Sequence, residues 1–76
     1  MSSAQLAVLL NRHYDYQQVR QTGSHMRLAT SLEGEHHVTV PIGSDLRVGT
    51  LAAILSDVGV HFGVTREEVV TRLFGS

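Results

Sequence analysis

Between residues 25 and 40 the apolar side chains fall on alternate positions, Met26 and Leu28 and then Val38 and Val40, and a glycine turn precedes each run. A period of two over so few residues describes half-buried β-strands. It sets His25, Arg27 and Ala29 opposite Met26 and Leu28, and His37 and Thr39 opposite Val38 and Val40. Thr22-Gly23-Ser24 is the first turn, where Gly23 supplies the positive φ that a tight reversal needs, and Glu33-Gly34-Glu35 is the second. The stretch from Asp15 to Thr22, moderately rich in β formers, reads as the strand before them. Pro41, which has no N–H to donate, stops the ladder. Three such strands form an antiparallel meander with one apolar face, and that face requires helices to cover it.

The flanking sequence supplies the helices. Ser2 or Ser3 caps a first one, with Leu6, Leu9 and Leu10 on one stripe and Asn11 and His13 at its end. Leu51, Ile54, Leu55 and Val58 recur at i, i+3, i+4 and i+7, with Gly59 as the expected C′ residue. Thr65-Arg66-Glu67-Glu68 reads as a capping box opening a last helix over about residues 65–74, whose buried side is Val69, Val70, Leu73 and Phe74. That apolar tail completes the core or, in the alternative, pairs with a second copy to give a homo-oligomer, because so short a domain gains from oligomerisation. The predicted fold is α+β: a three-stranded antiparallel sheet covered on one face by helices, as one domain over residues 1–76. The other sheet face is left to solvent or a partner.

Composition narrows the chemistry. With 76 residues there is room for one domain only, and with no Cys there is no disulfide scaffold, thiolate zinc site or Cys nucleophile. No apolar run approaches the ~20 residues of a membrane span. The stretch Ala7-Val8-Leu9-Leu10 is too short for a signal peptide, so a cytoplasmic location is expected. The formal net charge is -1, and every basic residue is Arg. The charges are unevenly spread: residues 11–30 carry Arg12, Arg20 and Arg27 against Asp15 alone. That fits a local anion-contacting face better than the broad positive field of many nucleic-acid binders.

The segment Val19-Arg20-Gln21-Thr22-Gly23-Ser24-His25 holds the chemistry. It sets a His on the first residue of a strand, beside a glycine turn with free backbone N–H groups. Arg20 lies just before the turn, and Arg27 lies two residues past His25 on the same face. Imidazole titrates near neutrality as a class, so a His among guanidinium groups suits acid–base work at a phosphodiester. The arginine forks can hold phosphate oxygens, and the turn amides of Gly23 and Ser24 can stabilise added charge. On spacing alone, an ordinary surface His would give the same pattern.

Arg20-Gln21-Thr22-Gly23-Ser24-His25, then Val38-Thr39-Val40-Pro41, then Gly49-Thr50-Leu51-Ala52-Ala53-Ile54-Leu55, resemble the successive blocks of the HicA toxins. The resemblance covers roughly residues 3–60, and the last helix extends it. It implies a fold similar to double-stranded RNA-binding domains and a metal-independent, cofactor-free mRNA interferase inhibited by a HicB-like antitoxin. His25, which closes the Gly-Ser-His motif, would be the catalytic residue, with Arg20, Gly23, Ser24 and Arg27 contacting substrate. The sequence departs from the family at two places. Asp15 replaces a Gly before the aromatic Tyr16, and Pro41-Ile42-Gly43 lacks the basic residue and second His that usually follow the Pro.

Two other readings compete. One is a non-catalytic RNA- or protein-binding module on the same sheet, with Tyr14 and Tyr16 either stacking on bases or packing beneath the helix. The other is a metal site. His36 and His37 are adjacent on a strand and point to opposite faces, so only one of them could join His25, and His61 is expected in a distant loop.

Overall fold

A computed structural model describes residues 1–75 of the chain. It contains α1 (Ser3–Tyr14), β1 (Gln17–Thr22), β2 (His25–Thr30), β3 (His36–Pro41), α2 (Val48–Phe62) and α3 (Arg66–Phe74). The strands form one antiparallel sheet in the order β1-β2-β3. This is the α-β-β-β-α arrangement with an added helix that the sequence predicts.

Helix α1 opens on a reciprocal cap, since Ser2 Oγ accepts from the Gln5 N–H at 3.0 Å while Gln5 Oε1 accepts from the Ser2 N–H at 2.8 Å. It runs past the expected stop to Tyr14 and ends on Asp15, whose φ of 59° is left-handed. The Asp15 and Tyr16 N–H groups then reach back to the carbonyls of Asn11 (3.1 Å) and Leu10 (3.3 Å). Such an ending favours glycine, and Asp is among the few other residues that tolerate it. Asp15 therefore fills a position whose backbone geometry suits glycine.

The core lies between the sheet and the helices. Met26 and Leu28 of β2 and Val38 and Val40 of β3 meet Leu6 and Leu10 of α1, Ile54, Leu55 and Val58 of α2, and Val69 and Leu73 of α3. Leu9 and Leu51, predicted on the buried stripes, are half-buried at the margin. Tyr14 and Tyr16 also belong to the core; Tyr16 is 1% exposed and its OH lies 2.7 Å from His36 Nδ1. Neither ring is free to stack on a base.

Three expectations need correction. Gly59 does not end α2, which continues one turn to Phe62 and closes on Gly63 at φ 70°. Gly59 instead packs against the chain entering α3 and accepts a bond from the Val64 N–H at 2.9 Å. His61 consequently sits on α2 rather than in a distant loop, stacked on His36 with ring centroids 4.5 Å apart. Val70 and Phe74 are exposed, because α3 turns through 105° from α2 and covers the core with a narrow stripe, Val69 and Leu73. Pro41 ends β3 as expected: it is the strand's last paired residue, opposite His25, and the Ile42 N–H makes one bond beyond the ladder, to the Ser24 carbonyl at 2.7 Å. Among the described residues no single helix is long and apolar enough to cross a membrane.

Candidate functional site

The helices cover one face of the sheet and leave the other open, and the register decides which side chains share the open face. His25 pairs with Thr22 and Pro41, and Arg27 pairs with Arg20 and Thr39. Paired residues point the same way, so Thr22, His25, Arg20, Arg27 and Thr39 lie together opposite the core.

The turn sets Arg20 on that face, since pairing runs without a break from Thr22–His25 through Gln21–Met26 to Arg20–Arg27, and β1 is bulged just beyond it. Gln18 pairs with Leu28 and Arg20 with Arg27, leaving Val19 as an extra residue between them. Strict alternation from Gln18, which faces the core side with Leu28, would have turned Arg20 inward. The extra residue reverses the phase of the strand's first half, so that Gln18 opposes Leu28 while Arg20 and Thr22 stay with Arg27 and His25. Every residue of β1 is exposed, and no apolar alternation marks its register.

His25 follows a two-residue turn. Gly23 has φ 56°, and Ser24 is not left-handed, which is the geometry that places Gly first in a type II′ hairpin. A Cβ at Gly23 would meet nothing within 4 Å, so the peptide is open to an approaching group. The exposed His25 ring has Ser24 Oγ 3.5 Å from its Nδ1. With Arg20, Thr22, Met26, Arg27 and Thr39 it lines a shallow depression of about 200 Å³. By strand rise Arg27 stands about 7 Å from His25 along β2, inside the ~10 Å Debye length at 0.1 M salt. No carboxylate lies within ion-pair distance of either Arg20 or Arg27 among the described residues. All of the residues singled out from the sequence, His25, Arg20, Gly23, Ser24 and Arg27, are thus brought to one end of the open face.

A residue outside that set joins them. Arg27 Nε donates to His37 Nδ1 at 3.0 Å, and His37 Nε2 lies 2.7 Å from Glu35 Oε2. The outward position of His37 was legible from the alternation, but its contact with Arg27 was not, since His37 pairs with Ala29 and reaches Arg27 on the diagonal. Four residues of β2 separate the His25 and His37 positions, about 13 Å by strand rise. The segment after Pro41 is used structurally: Ser3 N–H donates to the Gly43 carbonyl at 3.0 Å, and Gly43 N–H donates to Ser3 Oγ at 3.1 Å.

A larger cleft, about 650 Å³, lies away from this face and is lined by Tyr14, Phe62, Glu67, Glu68 and Arg72 among others. Its size does not make it the better site for a polyanion. Nucleic-acid backbones are bound across open charged surfaces, whereas this cleft carries three carboxylates, Glu33, Glu67 and Glu68, and its arginine lies over the Tyr14 ring at 5.3 Å. Among the described residues no group of three or more His, Asp or Glu side chains could hold a metal ion.

Residues 5–60 match the family described as the HicA toxin of bacterial toxin–antitoxin systems. Neither a curated protein nor a solved structure matches the chain. The match takes in α1, all three strands, the Gly23-Ser24-His25 turn and most of α2. The chain therefore belongs to the HicA toxin family and is a toxin of a toxin–antitoxin system, with a cognate antitoxin as its partner.

Proposed function

We propose that this toxin is a metal-independent endoribonuclease that cleaves mRNA with His25 as its proton-transfer residue, and that a HicB-like antitoxin inhibits it. The observation that supports this most directly is the company His25 keeps. An exposed imidazole shares one shallow depression with two guanidinium groups that have no carboxylate partner among the described residues, beside a turn whose backbone is open.

The chemistry follows from those parts. Arg20 and Arg27 hold the non-bridging oxygens of one phosphodiester, and the Gly23–Ser24 turn lets the sugar–phosphate backbone approach the sheet. His25, neutral, takes the proton of the adjacent 2′-OH as that oxygen attacks phosphorus. The bond from phosphorus to the 5′-oxygen breaks, leaving a 2′,3′-cyclic phosphate on one product, and the leaving oxygen takes a proton from water or from the imidazolium. With His37 about 13 Å away and no His at Gly43, no second imidazole serves the same bond. General acid–base catalysis by one group is worth about 10²–10⁴-fold, so turnover is slow. Slow cleavage still suits a toxin that acts on mRNA over minutes.

The alternative is an RNA- or protein-binding module without catalysis, favoured by the low net charge. Incubation of single-stranded RNA with excess protein in EDTA separates the two. Products ending in 2′,3′-cyclic phosphate are expected; retention of intact RNA would overturn the nuclease reading in favour of the module.

A further inference from the structure

The open face carries a second hydrogen-bonded unit, Glu35–His37–Arg27, that the cleavage chemistry above does not use. We propose that Glu35 and His37 are positioning residues: a strut that fixes the Arg27 guanidinium so that its terminal fork faces the phosphate beside His25. The proposal rests on the RNA-cleaving reading and adds to it the part that orients the substrate-binding arginine.

Donor and acceptor chemistry fixes the arrangement of the unit. Arginine Nε carries a hydrogen and can only donate, so His37 Nδ1, 3.0 Å away, must be the acceptor. The ring proton then sits on Nε2 and is donated to Glu35 Oε2 at 2.7 Å. The chain has one direction, from guanidinium through neutral imidazole to carboxylate, and each link sets the orientation of the next. His37 belongs to β3 and Glu35 to the turn just before it, so the sheet carries the imidazole and the adjoining turn supplies the carboxylate.

The intervening imidazole has a specific consequence. A carboxylate placed directly on Arg27 would occupy its fork and cancel its charge. Here only Nε is engaged, and among the described residues the two Nη groups have no hydrogen-bond partner. The Glu35 charge is held one ring-width further from the phosphate site, where it orients the arginine without neutralising it. A fork held in place before binding loses less side-chain freedom when it grips a phosphate than a free arginine does. Arg20, directly opposite Arg27 on β1, has no such support among the described residues and supplies charge without a fixed direction.

The test measures binding of a fluorescent single-stranded oligonucleotide with 2′-O-methyl riboses, which cannot be cleaved through the 2′-oxygen. Arg27→Ala is expected to weaken binding about tenfold, the loss of a charge-assisted contact. His37→Ala is expected to weaken it several-fold, yet to add nothing in the Arg27→Ala background. A His37 effect of equal size in both backgrounds would overturn the strut, because a general effect on the sheet would not depend on Arg27. Glu35 gives an independent arm. Glu35→Gln keeps an acceptor for the imidazole N–H and should bind more tightly than Glu35→Ala; equal binding by the two would mean that Glu35 acts only as a repelling charge. Wild-type protein that binds no RNA would remove the function reading and the strut's role with it. Wild-type binding that is unchanged by His37→Ala would remove the strut alone.

Discussion

Gly59 and Gly49 stand in the same helix, and replacing each with Ala should move stability in opposite directions. A Cβ on Gly59 would lie 2.7 Å from the Val64 carbonyl oxygen and 3.4 Å from the Thr65 carbonyl group. These are backbone atoms and cannot rotate aside, since the Val64 N–H is itself bonded to the Gly59 carbonyl at 2.9 Å. Relief requires the α2–α3 junction to open, and Val69 and Leu73, both core residues, move with it. Overpacking of this kind costs about 1–3 kcal/mol, and loss of the Val64 bond about 1 more. Ala gains about 1 kcal/mol in helix propensity, which leaves Gly59→Ala destabilised by about 1–3 kcal/mol. At Gly49 a Cβ meets nothing within 4 Å, so the propensity gain of up to ~1 kcal/mol stands alone. Urea unfolding followed by far-UV circular dichroism reads both, and in a chain of 76 residues each kcal/mol shifts Tm by about 4–8 °C. A Gly59→Ala variant as stable as the parent would refute the close approach of α3 to α2 as the reason for this glycine.

Tyr16→Phe removes the hydroxyl that meets His36 Nδ1 at 2.7 Å and should cost about 1 kcal/mol at neutral pH. Burial, with the Asp57 charge nearby, pushes the Tyr16 hydroxyl well above the usual tyrosine range. The folded state therefore holds that proton more tightly than the unfolded chain, and its contribution is full below about pH 10 and lost as pH rises beyond it. The alkaline fall in stability of Tyr16→Phe should be shallower by at most about 1.4 kcal/mol per pH unit, and an equally steep fall would contradict this. Asp15→Gly, which relieves a left-handed φ of 59°, should raise the urea midpoint by the equivalent of about 0.5–1 kcal/mol; a lower midpoint would show that Asp15 contributes more than its backbone geometry. If Arg20 and Arg27 are the phosphate contacts, log–log salt plots of single-stranded RNA binding should have a slope of about −1.4, and each Arg→Ala change should remove about 0.7 of it. A much steeper slope in the double variant would place the contacts elsewhere.

The parts of the fold written in hydrophobic period were readable in the sequence. Met26 and Leu28, Val38 and Val40, and Ile54, Leu55 and Val58 are all buried where their spacing puts them. Features set by a single close contact were not. Gly59 looks like a helix terminator until the chain entering α3 is seen against it, and His61 moved from loop to helix with that one turn. Val70 and Phe74 share a helix face with Val69 and Leu73 on a wheel, but a short helix crossing at 105° buries only the narrower stripe. The site was legible as a motif, because the turn and β2 fix His25 and Arg27 locally. The bulge at Val19 that shifts Gln17 and Gln18 has no signature in an all-exposed polar strand. The reach of Arg27 to His37 is a diagonal side-chain contact between register neighbours, and the alternation gives the face of each residue but not that contact.

The most direct test of the account is the cleavage rate of His25→Ala. Its ring is exposed and outside the core, so the variant should keep the parent's circular dichroism spectrum and urea midpoint. In EDTA, with protein in excess over RNA, we expect cleavage to fall by at least about 10²-fold while RNA is still retained. Cleavage at the parental rate by the folded variant would take His25 out of the mechanism.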